Sequence, residues 1–277
     1  FVQIQWPDEK YKWEAVKCFQ VNWNVNADDF AAMLTKALSQ TSNLLASVNN
    51  FPAKMITKFG EVAQEEVRGM FIELFDEDKD VYERIDAFKQ KSNSLLERYG
   101  NGAAQHYQYE NAISTYLWLR YPDKYYIYKL MEVKAVSNEL ESSYTFKKGA
   151  YADNIRNFLA FYNEICDELK QDDELKNMLA SQITRTCYPD PELRTLTMDV
   201  GFFISRYDLS KVNLYANLEP NFWKISHGND CISEAEAEAF EKRQVIVVHR
   251  DTAAKGKSKV SQGEDFMATM KKGDFFY

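Results

Sequence analysis

Apolar side chains return every three to four residues through residues 1–208, and that period is then lost. Such spacing draws one apolar stripe along each helix, and stripes of this kind must bury one another. Asn26 and Asp29 set up an amino-terminal cap, after which Phe30, Met33, Leu34, Ala37, Leu38, Leu44 and Leu45 share one face. Pro52 suits the first turn of the next helix, with Met55, Ile56 and Phe59 inward. Val67, Met70, Phe71, Leu74 and Phe75 form a further stripe. Asp80 opens a helix carrying Val81, Ile85, Phe88, Leu95, Leu96 and Tyr99, and Gly100 is expected to close it in the left-handed conformation. Ile155, Phe158, Leu159, Tyr162, Ile165, Cys166 and Leu169 mark another long helix. Short connections predict a compact, bundle-like domain, and no fixed-period repeat is present.

From Leu209 to Pro220 neither helical nor strand period holds, which places a linker at 209–220. Beyond it, residues 221–277 read as strand, helix, strand, loop, helix, strand. Asn221 to Gly228 is a short strand and turn, Gln244 to His249 a second strand, and Lys271 to Tyr277 the start of a third. Ser233 with Glu236 forms a capping box for the helix between the first two. A strand of the last segment's composition needs neighbours on its edges, and none follow. Residue 1 is Phe rather than Met. The expectation is a piece of a longer protein: mainly α, with a helical amino-terminal domain (1–208) followed by an incomplete α/β segment (221–277).

A length of 277 residues with 45% hydrophobic content sustains a sizeable core. No run of about 18 apolar residues occurs, so neither a membrane span nor a membrane partner is expected. No signal peptide opens the chain. Cys18, Cys166, Cys187 and Cys231 lie far apart and form no CxxC pair, which favours reduced thiols and a cytoplasmic setting over a disulfide framework or a zinc site. The net charge of −8 is unevenly spread, because residues 242–277 hold eight basic against four acidic side chains. An acidic body repels phosphate backbones, whereas a local basic loop attracts them.

Catalytic patterns are absent from the sequence. Asp251-Thr-Ala-Ala-Lys-Gly-Lys-Ser258 approaches a phosphate-binding loop, but Asp251 stands where that tight turn needs glycine, and a carboxylate there repels phosphate. His106, His227 and His249 lack ligand spacing. No cofactor, metal or nucleophile site is expected. The segment Ile113 to Tyr128 is rich in aromatic residues and broken by Pro122. Its rings could form a stacking platform for a nucleobase, or fill a core corner with their hydroxyls at the rim.

The tail resembles a known family. Asn221-Phe-Trp-Lys-Ile-Ser226, then a helix and a strand, then Asp265-Phe266 leading to Met270-Lys-Lys-Gly-Asp-Phe-Phe-Tyr277, looks like the first part of an EVE domain of the PUA-like superfamily. Upstream, Trp13-Glu-Ala-Val-Lys-Cys-Phe19, Asn43-Leu-Leu-Ala-Ser47, Arg120-Tyr-Pro-Asp-Lys-Tyr-Tyr-Ile-Tyr128 and Cys187-Tyr-Pro-Asp-Pro191 are similar to the amino-terminal region of bacterial McrB-like proteins. Those are subunits of modification-dependent restriction systems, in which a recognition region precedes an AAA+ motor that hydrolyses NTP, and a partner subunit supplies the nuclease. The resemblance implies antiviral defence, modified cytosine in DNA as the ligand and a nuclease subunit as partner. The motor motifs are missing here, so the resemblance implies recognition without catalysis.

PUA-like readers take a flipped base into an aromatic pocket. By that resemblance Trp223 presents a ring, Ser226 hydrogen-bonds a base edge, and Lys255, Lys257 and Lys259 meet phosphates, which position the protein without specifying sequence. The rival reading is a helical protein-interaction scaffold with no direct nucleic-acid binding, which the acidic excess before residue 242 favours. On that reading Trp223 is a buried strand residue and the lysines form a solvated loop.

Overall fold

The computed structural model describes residues 5–46 and 50–206, with two short strands at 222–223 and 275–276. The chain divides into two compact units, Phe1–Asp208 and Leu209–Tyr277. The described part is mainly helical. In the first unit the helices are α1 (Gln5–Glu9), α2 (Tyr11–Asn22), α3 (Phe30–Ala37), α4 (Ser42–Leu45), α5 (Pro52–Val62), α6 (Gln64–Leu74), α7 (Val81–Tyr99), α8 (Glu110–Arg120), α9 (Leu130–Glu139), α10 (Tyr151–Leu169), α11 (Asp173–Gln182) and α12 (Arg194–Arg206).

Local chemistry sets many of these boundaries. The Asp29 carboxylate accepts the Ala32 N–H at 2.8 Å, and Asp80 accepts from Tyr82 and Glu83 at 2.9 and 3.2 Å. Each satisfies backbone donors that a first helical turn leaves without partners. Pro52 occupies the first turn of α5. The stripe from Phe30 to Leu45 is split between α3 and α4. Thr41 is fully buried between them, and its hydroxyl donates to the Leu38 carbonyl at 2.7 Å. That local bond competes with helix continuation.

The end of α7 also departs from expectation. Gly100 is right-handed, at φ −68°, and its N–H still donates to the Leu96 carbonyl at 2.8 Å. The left-handed residues are the next two, Asn101 (φ 48°) and Gly102 (φ 82°). Asn tolerates this region better than most residues, so the reversal moves one position along.

α8 lies at the centre, packed against α2, α4 and α7. From Ala112 to Leu119 no residue is more than 4% exposed, so the helix is covered on every side. Pro122 then follows, and Tyr125, Tyr126, Ile127 and Tyr128 are all buried although they form no strand. Buried backbone groups need partners, and here side chains supply them. The Tyr128 N–H donates to Ser114 Oγ at 2.9 Å, the Tyr128 carbonyl accepts from Asn111 Nδ2 at 3.1 Å, and the Ile127 N–H donates to Met198 Sδ at 2.9 Å. α9 and α10 both pack on α12.

In the second unit, Phe222–Trp223 and Phe275–Phe276 pair in parallel, with Phe222 opposite Phe275 and Trp223 opposite Phe276.

Two glycines test the packing. A Cβ at Gly201 in α12 would lie 2.4 Å from the Tyr162 hydroxyl oxygen and 3.0 Å from its Cζ. Tyr162 is itself buried, so its ring has little room to move. Gly201→Ala should therefore cost about 1–3 kcal/mol through overpacking, more than the ~1 kcal/mol that alanine returns in helix propensity. At Gly69 in α6 nothing lies within 4 Å of the same atom. Gly69→Ala should raise the thermal midpoint and Gly201→Ala lower it, as read by circular dichroism. Equal shifts would contradict the close α10–α12 contact.

Candidate functional site

Trp223 is held in the parallel ladder by its backbone, opposite Phe276. Ser226, Lys255, Lys257 and Lys259 lie outside the described residues, as do the Asp251–Ser258 loop, His227, His249 and Cys231. The segments of the first unit that carry the sequence resemblance can be placed, and three of them converge on one junction.

That junction is organised by Asp190. It adopts φ +50° between Pro189 and Pro191, and it is almost wholly buried. Its carboxylate accepts the Thr195 and Leu196 N–H groups at 3.1 and 2.9 Å and Trp13 Nε1–H at 3.3 Å. The first two bonds satisfy the start of α12, and the third ties it to α2. The Tyr188 N–H donates to the Trp13 carbonyl at 2.9 Å, while the Tyr188 hydroxyl donates to the Asp123 carboxylate at 2.7 Å. Arg194 donates from Nε to the Asp123 carbonyl at 2.6 Å and lays its guanidinium 5.0 Å over the Tyr126 ring. The Trp13, Tyr-Pro-Asp123 and Tyr-Pro-Asp190 segments thus meet through their own polar groups. Asn43 to Leu45 of the fourth segment lie in α4, whose Leu45 is buried and which packs on α8.

Burial pushes the Asp190 carboxyl up to about 6, against the opposing pull of its three donors. A second buried carboxylate, Asp199, is also raised by burial, opposed by Lys12 and Gln5. Lys12 Nζ stands 2.5 Å from Asp199 and 2.9 Å from Glu9, and Gln5 Nε2 donates to Asp199 at 3.2 Å. The Lys12 ammonium also sits 4.6 Å from the centre of the Phe202 ring. Both clusters fasten α12 to the first two helices. Sequence reading missed them, because Glu9 and Lys12, three positions apart, look like an ordinary solvated ion pair. The usable signal was an Asp set between two prolines, Pro189 and Pro191.

The aromatic segment is core. Tyr116, Trp118, Tyr125, Tyr126 and Tyr128 are buried, so no stacking platform forms there. Tyr116 donates to Gln108 Oε1 at 2.8 Å and Trp118 Nε1–H to Thr195 Oγ1 at 3.3 Å. Tyr125 donates to Glu77 and accepts from the buried Arg84. Arg84 in turn donates to the Leu74 carbonyl at 2.7 Å, closing the end of α6. His106 is buried and its Nδ1 accepts the Gln108 N–H at 2.8 Å; burial lowers its pKa from the ordinary imidazole range. Among the described residues no group of His, Cys, Asp and Glu could hold a metal ion, and Cys18, Cys166 and Cys187 are free thiols. Among them, too, no helix is long and apolar enough to cross a membrane.

No protein-family model, no curated protein and no solved structure matches the chain.

The two carboxylates differ in what their loss should do. Lys12→Met leaves Asp199 buried without its cation and should cost about 3–5 kcal/mol in denaturant melts, most of which returns when Asp199→Leu is added. A double variant no better than the single would show that the pair is not coupled. Asp190→Asn turns one acceptor into a donor facing N–H groups and should cost about 2 kcal/mol. The pH dependence carries a definite sign. A carboxyl raised in the folded state binds its proton more tightly there than in the unfolded chain, so its contribution weakens as pH rises from about 4 to about 6. The stability gap between parent and Asp190→Asn should narrow over that interval. A gap that widens would mean the three donors outweigh burial.

Proposed function

We propose that this chain is the recognition part of an McrB-like restriction protein, reading modified cytosine in DNA through an EVE/PUA-like second unit. The observation that carries the reading is the pairing of the two stretches on which the resemblance rests. Phe222 and Trp223 of the Phe-Trp strand lie in register with Phe275 and Phe276, which follow the sequence Met-Lys-Lys-Gly-Asp. The basic excess after residue 242 supports it further, since phosphate contact needs positive charge. On this reading Trp223 and Ser226 contact the base, and Lys255, Lys257 and Lys259 contact the backbone. The chain would act without catalysis of its own, in the cytoplasm, beside an AAA+ motor and a nuclease subunit. The burial of the Tyr116, Trp118, Tyr125, Tyr126 and Tyr128 rings favours the second unit over the first as the binding element.

A second reading keeps the first unit as a protein-interaction scaffold with no nucleic-acid affinity. The acidic excess before residue 242 favours it for that unit.

Fluorescence anisotropy separates the two. The protein should bind a duplex containing 5-methylcytosine more tightly than the same duplex with plain cytosine. Trp223→Ala should abolish the preference, at a cost of about 1–3 kcal/mol on the modified duplex. Lys255→Ala with Lys257→Ala should weaken both duplexes alike and flatten the salt dependence. Equal binding of both duplexes by the parent would favour the scaffold. A folded Trp223→Ala variant that keeps the preference would remove Trp223 from the pocket.

A further inference from the structure

We draw no further inference here: the strongest candidate, the aromatic surface patch formed by Phe51, Tyr107 and Tyr109 where the loop before α8 meets the start of α5, carries nothing because nothing in the structure shows what covers it.

Discussion

The burial of α8 on every side from Ala112 to Leu119 is the constraint on which the first unit depends. A helix covered on all sides cannot rest on a single neighbour, so the elements before and after it must close round it. α2, α4 and α7 pack directly on it. The Trp118 indole reaches Thr195 on α12, and Gln20 of α2 donates to the Leu119 and Arg120 carbonyls where α8 ends. Gln20 thereby satisfies acceptors that a helix terminus would otherwise leave without partners.

Burying α8 creates a second demand, because the chain that leaves it is buried too. Pro122 stops the helix, yet Tyr125 to Tyr128 remain inside without a strand to pair with. Side chains from α8 and α12 take over the work of a ladder, through Ser114, Asn111 and Met198. The tyrosines serve this arrangement well. Each carries a large apolar ring into the core, and several hydroxyls find polar partners, such as Glu77 for Tyr125. An exposed base-stacking role is incompatible with that placement.

α12 closes the unit, and two buried carboxylates hold it. Asp190 anchors its start to Trp13, and Asp199 anchors its middle to Lys12 and Gln5. Buried charges are poor sources of net stability, because desolvation offsets much of the attraction. They are demanding about geometry, however, since a misplaced α12 would leave two carboxylates unsatisfied. That accounts for the convergence of the Trp13, Tyr-Pro-Asp123 and Tyr-Pro-Asp190 segments in one junction. In this unit the Trp13, Tyr-Pro-Asp123 and Tyr-Pro-Asp190 stretches hold the helices together.

The helical class, the caps at Asp29 and Asp80, the Pro52 start and the inward stripes were legible in the amino-acid sequence, because each depends on residues within one or two turns of one another. Phe30, Leu34, Ile56, Phe59, Phe71, Ile85, Phe88, Phe158 and Tyr162 are inside as their spacing requires. The break at Thr41 and the displaced left-handed turn after Gly100 were decided by hydrogen bonds that spacing does not encode. Whether the tyrosines of 116–128 formed a core or a platform depended on which helices covered them. The side chains that donate to Asp190 and Asp199 lie more than 170 positions away along the chain, in Trp13, Lys12 and Gln5. Of the candidate binding residues, Trp223 alone falls within the described structure, through its backbone pairing. Local periodicity determines which face of a helix is apolar; only the folded chain determines what that face meets, because contacts between distant residues leave no period in the sequence.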